Sequence, residues 1–180
     1  GIKPGDRVAM LAPNTHALLE AHFGVPFAGA VLVALNTRLT AAELAYILDH
    51  SGAKILIYDY ELEAVAMEAV ALAQGGVKPV RSGTHAADDE YECLMQNASG
   101  LCMQVADERD LLAINYTSGT TGKPKGVMYH HRGAYLQALA MAFQTRLDSD
   151  SVFLWTLPMF HCNGWCFPWA VTAAGATHLC

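Results

Sequence analysis

The chain has 180 residues, 53% of them hydrophobic and 16% charged, with a formal net charge of −6. That is enough apolar material to bury a core in one domain, and it excludes a disordered or collagen-like chain. A pI near 5.7, with 17 acids against 11 bases, excludes a general nucleic-acid binder, which needs a basic face.

Taken in chain order, the pattern alternates between strands and helices. Val8–Ala12 is a short apolar run closed by Pro13 and Asn14, a strand and its turn. Thr15–Ala28 reads as a helix disturbed at Pro26, and Val31–Leu35 as the next strand. Thr40 and Glu43 stand three apart before a helical stripe of Ala41, Leu44, Ala45 and Leu48, which is the signature of a capping box. Ser51 and Gly52 end that helix, Lys54–Tyr58 is a strand, and Glu61–Gln74 is a helix closed by Gly75 and Gly76. From Arg81 to Asp110 two arginines meet seven acids, which holds nearly all the net charge and predicts a solvated connection. Leu111–Tyr116 is a strand that feeds a Gly/Ser/Thr loop. Arg132–Arg146 follows as a helix with Leu136, Leu139, Ala140 and Phe143 on its apolar face. Val152–Leu157 reads as a strand, Trp165–Ala174 as a helix and Thr177–Leu179 as the start of a strand. The fold class expected is α/β, a layered strand–helix fold with a largely parallel sheet.

Ser151–Cys180 contains no Asp, Glu, Lys or Arg. Pro158, His161, Asn163, Gly164 and Pro168 interrupt it, so buried core rather than a membrane span is expected. Five cysteines form an odd set without an evident signal peptide, which points to free thiols, a reducing compartment and a cytoplasmic location. Gly1 is not an initiator Met, and Cys180 falls within a predicted strand, so the chain reads as a fragment.

The densest chemistry lies in Tyr116–Gly126, Tyr-Thr-Ser-Gly-Thr-Thr-Gly-Lys-Pro-Lys-Gly. Thr117, Ser118, Thr120 and Thr121 supply hydroxyls, Gly119, Gly122 and Gly126 let backbone amides turn inward, and Lys123 and Lys125 flank Pro124. Donors and mobile positive charge after an apolar strand suit a polyphosphate, although the spacing is not that of a Walker A loop.

The same residues, with Val127, resemble the phosphate-loop signature of the adenylate-forming, AMP-binding enzymes, which include acyl-CoA synthetases, luciferases and peptide-synthetase adenylation domains. The likeness extends to Ala28–Thr40, similar to an early segment of that family, and to Pro158–Trp165, similar to the segment lining its acyl pocket. With Tyr129–Gly133, the Asn-Gly-Trp wording resembles short- and medium-chain acyl-CoA ligases, the 3-methylmercaptopropionate type included. The resemblance implies that Thr117, Ser118, Gly119, Thr120, Thr121 and Lys125 contact the ATP phosphates, and that Thr121 helps hold Mg²⁺. It also implies that His161 lies beside the acyl group and adenylate, and that Trp165 walls the pocket. A carboxylic acid, ATP and CoA are then the small-molecule partners.

On the same resemblance, residues 1–180 form an incomplete part of the large N-terminal domain, with its acidic connection at about 81–110. The small C-terminal domain and its catalytic lysine fall outside the chain, since Lys123 and Lys125 belong to the loop. Three readings stay open: a piece of an acyl-CoA ligase, an adenylation domain that loads a carrier protein, and a non-catalytic nucleotide-binding or scaffold protein.

Six aromatics fall between Phe153 and Trp169. Phe153, Trp155 and Phe167 are expected in the core, whereas Phe160, His161 and Trp165 are expected at a strand end where ligands collect. Bulky rings there favour a small or medium acyl group. Cys162, Cys166 and His161 are too few for a closed zinc site, and no Cys/His/Asn pattern marks a catalytic thiol. His130 and His131 read as a polar strand end close to the loop.

Overall fold

The computed structural model describes residues 1–83, 89–117 and 122–180. Among the described residues eight strands and seven helical segments follow in order: β1 (Arg7–Leu11), α1 (His16–Phe27), β2 (Val31–Ala34), α2 (Ala41–Ser51), β3 (Ala53–Asp59), α3 (Glu63–Leu72), β4 (Lys78–Ser82), α4 (Glu90–Gln96), β5 (Leu111–Thr117), β6 (Lys125–His130), α5 (His131–Thr145), β7 (Val152–Leu154), the single left-handed turn α6 (Cys162–Trp165), α7 (Phe167–Ala173) and β8 (Thr177–Leu179). A 3-10 turn at Tyr60–Leu62 leads into α3.

Six strands form one sheet in the order β4-β3-β1-β2-β5-β6, parallel except at β6, while β7 and β8 pair separately. Because successive strand residues face opposite ways, Val8 and Met10 pack under α1, α5 and α7, whereas Ala9 and Leu11 pack against α2 and α3. Two apolar clusters thus cover the two faces, and the α/β layered class holds. The pairing of β2 with β5, Leu32 opposite Ala113, joins the first part of the chain to the part that carries the loop.

The local chemistry explains the helix starts. Thr15 Oγ1 accepts from the Leu18 amide at 3.4 Å to begin α1, which runs through Pro26. The capping box of α2 is formed in both directions: Glu43 N donates to Thr40 Oγ1 at 3.4 Å, and Thr40 N donates to Glu43 Oε2 at 2.9 Å.

Several expectations are corrected. The acidic stretch holds the end of β4 and the helix α4, which is capped by Asp89. Strand β6 went unpredicted, because its pattern is mostly exposed and lacks alternation. The expected apolar face of α5 points outward: Leu136, Leu139 and Phe143 are exposed, and Ala134 and Ala138 face the core. Small residues there let α5 lie close to the sheet and to α7. In the uncharged stretch Trp155, Met159, Ala170 and Val171 are buried, but Val152, Leu154 and Leu179 are exposed. Among the described residues no helix is long and apolar enough to cross a membrane.

Candidate functional site

The Gly/Ser/Thr loop closes a hairpin. β5 is buried from Leu112 to Asn115 and surfaces at Thr117, and β6 returns antiparallel beside it. The register sets Thr117 opposite Lys125 and Tyr116 opposite Gly126, so residues far apart along the loop stand side by side at its mouth. A Cβ on Gly126 would lie 2.9 Å from Ile114 Cγ2, and this close packing requires a glycine. Ser118, Gly119, Thr120 and Thr121, including the expected Mg²⁺ ligand, lie outside the described residues.

Both flanks of the loop rest on α2. Tyr116 Oη and His50 Nδ1 share a 2.8 Å hydrogen bond, and the His50 ring stacks on Tyr46 at 5.3 Å. Lys123 Nζ sits 5.8 Å from the centre of the Tyr46 ring, within reach of a cation–π attraction. Burial, with Tyr46 nearby, raises the Tyr116 phenol above its ordinary pKa, so it stays protonated.

A cavity of about 300 Å³ opens in front of the hairpin, at the carboxyl ends of β2 and β5. Asn36, Glu43, Tyr116, Thr117, Pro124 and His161 are among its lining residues. Ligands of open α/β sheets collect at such strand ends. Thr117 and His161 therefore share one cavity, and Lys125 stands beside Thr117 with its side chain exposed.

His161 reaches this cavity on a turn, not at the end of a strand as expected, since β7 stops at Leu154. Asn14, just after β1, pins the approach: its Nδ2 donates to the carbonyls of Trp155 and Leu157 at 3.0 and 2.9 Å, and its Oδ1 accepts from Met159 N at 2.9 Å. The chain then makes a left-handed turn in which Cys162, Asn163, Gly164, Trp165 and Cys166 all have positive φ, between 41° and 66°. Each non-glycine residue in that region costs about 1–2 kcal/mol. A Cβ on Gly164 would lie 2.8 Å from the Trp155 ring, so the turn is seated on that buried indole.

Trp165 does not line the His161 cavity. It is 54% exposed and borders a second cavity of about 320 Å³ with Met128, Tyr129, Gln137, Cys162 and Cys166. Cys162 borders both cavities, which places the two spaces either side of the turn. Of the three rings expected in the core only Trp155 is buried; Phe153 and Phe167 are half-buried against the core, Phe153 stacked on Phe167 at 4.6 Å and edge-on to Trp155 at 5.0 Å.

Burial pushes the Cys166 thiol up to about 11, so it is a poor nucleophile at neutral pH. Burial and the neighbouring Cys162 raise the Tyr129 phenol as well. No group of three or more metal-ligating side chains occurs among the described residues. His130 caps α5, its Nδ1 accepting from Gly133 N at 2.9 Å, and burial lowers the pKa of His131. Sequence reasoning missed Asn14, Asn115 and Asn163; the one signal was that three asparagines sit where apolar strands end or turn.

Comparison with known proteins follows the same lines. The AMP-binding enzyme family matches residues 1–180. A peroxisomal benzoate–CoA ligase of Arabidopsis thaliana is 44% identical over an alignment 199 positions long, covering 99% of this chain and 34% of that protein. The 4-hydroxybutyrate–CoA ligase 2 of Metallosphaera sedula is 39% identical, covering 100% of this chain and 35% of that protein. The inhibitor-bound N-terminal domain of FACL13 from Mycobacterium tuberculosis superposes with a TM-score of 0.85 at 34% identity, over 99% of this chain and 44% of that one. The chain spans about a third of the length of the curated relatives it matches. With every residue inside the matching region, this chain belongs to the AMP-binding enzyme family.

Proposed function

We propose that this chain supplies the ATP phosphate loop and part of the acid pocket of an AMP-forming acyl-CoA ligase for a small or medium carboxylic acid. In the first step a carboxylate oxygen attacks the α-phosphorus of ATP. The bond to the β-phosphate breaks, and pyrophosphate leaves. In the second the CoA sulfur takes the acyl carbon as a thioester, and AMP leaves. The observation that carries this reading is the placement of Thr117 across from Lys125, with Thr117 and His161 in one cavity.

In this reading Thr117, Ser118, Gly119, Thr120, Thr121 and Lys125 hold the β- and γ-phosphates and stabilise the charge that collects on pyrophosphate. His161 lies beside the acid and the adenylate. An acid that reaches from the His161 cavity past Cys162, which borders both spaces, would meet Trp165 in the neighbouring one, which suits short acids, and relatives named for benzoate and 4-hydroxybutyrate support a small substrate. A magnesium ion bound with ATP would screen the charge on its phosphates. Thr121 is its proposed contact on this chain, and the steps above rest on the protein's own donors.

The test is carboxylate-dependent exchange of labelled pyrophosphate into ATP by the whole protein. Lys125→Ala and Thr121→Ala should each lower exchange by roughly 10–1,000-fold, the range for loss of a transition-state donor. Rates within about twofold of the unmodified protein would remove the phosphate-loop assignment. Thioester on CoA supports the ligase; acyl transfer to a carrier protein alone would replace it. A tagged whole protein reports whether the setting is the cytoplasm, as proposed from the cysteines, or the peroxisome named for the benzoate relative.

A further inference from the structure

The turn that carries His161 and Trp165 is fastened to the strand that feeds the phosphate loop. Asn115 lies on β5, two residues before Thr117, and is 5% exposed. Its Oδ1 accepts from the Asn163 backbone N–H at 3.2 Å, and its Nδ2 donates to Asn163 Oδ1. Asn163 is fully buried, two residues after His161 and two before Trp165.

Backbone conformation alone does not require an asparagine at position 163, although asparagine is tolerated in the left-handed region. With φ at 41°, glycine would relieve the backbone, and Asn163 Nδ2 is buried without a hydrogen-bond partner among the described residues. What the side chain adds is Oδ1, the acceptor for Asn115. We infer that Asn115 and Asn163 form a strut that holds the phosphate loop and the acid pocket in one fixed relation, as positioning residues for adenylate formation.

The inference rests on the ligase reading, in which the acid oxygen must meet the α-phosphorus in line. Reacting atoms have to come within about 3–3.5 Å, and a misplacement of about 1 Å costs on the order of 100-fold in rate. The strut acts where those two requirements meet: the loop determines where the phosphate sits, the turn where the acid sits, and the paired amides their separation. Neither amide has to touch a substrate for this.

Pyrophosphate exchange by the whole protein, with kcat and both KM values measured, tests the strut in Asn115→Ala, Asn163→Gly and the double variant. Asn163→Gly suits the left-handed backbone, and a thermal melt beside the exchange assay shows that the fold is kept, so it separates the amide from the turn. The expected result is a kcat lower by about 10- to 100-fold in each single variant. KM for ATP and for the acid should stay within about threefold, and the double variant should be no worse than the poorer single one, as for two ends of one contact. A kcat within about twofold in Asn163→Gly, KM values that rise with kcat unchanged, or losses that multiply in the double variant would each overturn the strut. An unmodified protein without exchange overturns the ligase reading and the strut with it. Normal exchange with neutral variants overturns the strut alone.

Discussion

Trp165 shows how far a single residue could be read. Its place in an uncharged, aromatic-rich stretch was visible in the sequence, but not its position on a left-handed turn, half exposed over a cavity separate from that of His161. If it ends the acid pocket, Trp165→Ala should shift kcat/KM toward longer or bulkier acids and cut activity on short ones. Each methylene in an apolar pocket is worth about 1–3 kcal/mol of discrimination. A buried tryptophan would cost about 3–5 kcal/mol on truncation, and at 54% exposure the loss should fall below that range. The measurement is kcat/KM across straight-chain acids with a thermal melt. An unchanged ranking with a large fall in Tm would make Trp165 a packing residue. The hydroxyls and lysines of the loop stand out in the sequence because their density exceeds what any turn needs, and the pyrophosphate exchange proposed above tests the role read from them. The asparagines were not, because in a sequence an asparagine signals a turn and gives no sign that it will be buried against another.

Among the elements, the parallel strands and the start of α2 were legible for physical reasons that the structure bears out. Four-residue apolar runs between helices mark strands buried on both faces, and Thr40 with Glu43 marks a cap. The edges were harder. β4 contains Pro79, tolerated on an edge strand but normally read as a break, and β6 exposes Val127 and Met128. In α5 the stripe rule selects the largest apolar residues, whereas a helix packed close to its neighbours turns its alanines inward. The capping box gives a direct test at this scale. Thr40→Ala should destabilise the fold by about 1 kcal/mol. Urea unfolding measures it, and an unchanged midpoint would show that α2 is held by packing alone.

For the molecule as a whole, pH acts on folding through a residue remote from the candidate site. His22 on α1 is fully buried, with Nδ1 bonded to the Leu18 carbonyl at 2.7 Å and its ring edge-on to Trp169 at 5.5 Å. Nε2 has no hydrogen-bond partner among the described residues, and burial lowers the pKa from 6.5 to about 4. The unfolded chain therefore binds this proton more readily than the folded one. The stability that His22 contributes as a neutral ring is complete above about pH 6.5 and is lost as pH falls toward 4, by about 3 kcal/mol in all. Urea titrations from pH 7 to 4 should show that slope, and His22→Leu should flatten it. An equal slope in both proteins would assign the acid sensitivity to other groups.

The pairing of β2 with β5 also has a consequence in time. Leu32 and its partner Ala113 are about eighty residues apart along the chain. At roughly 5–20 residues per second, the ribosome makes the second about 4–16 s after the first. During that interval β1 to β4 can assemble with α1 to α3, while Val31–Ala34 offers an apolar, unpaired edge to any other nascent strand. The nascent chain is thus most open to mispairing before its Gly/Ser/Thr loop has been synthesised, and a chaperone that shields β2 would act in that window.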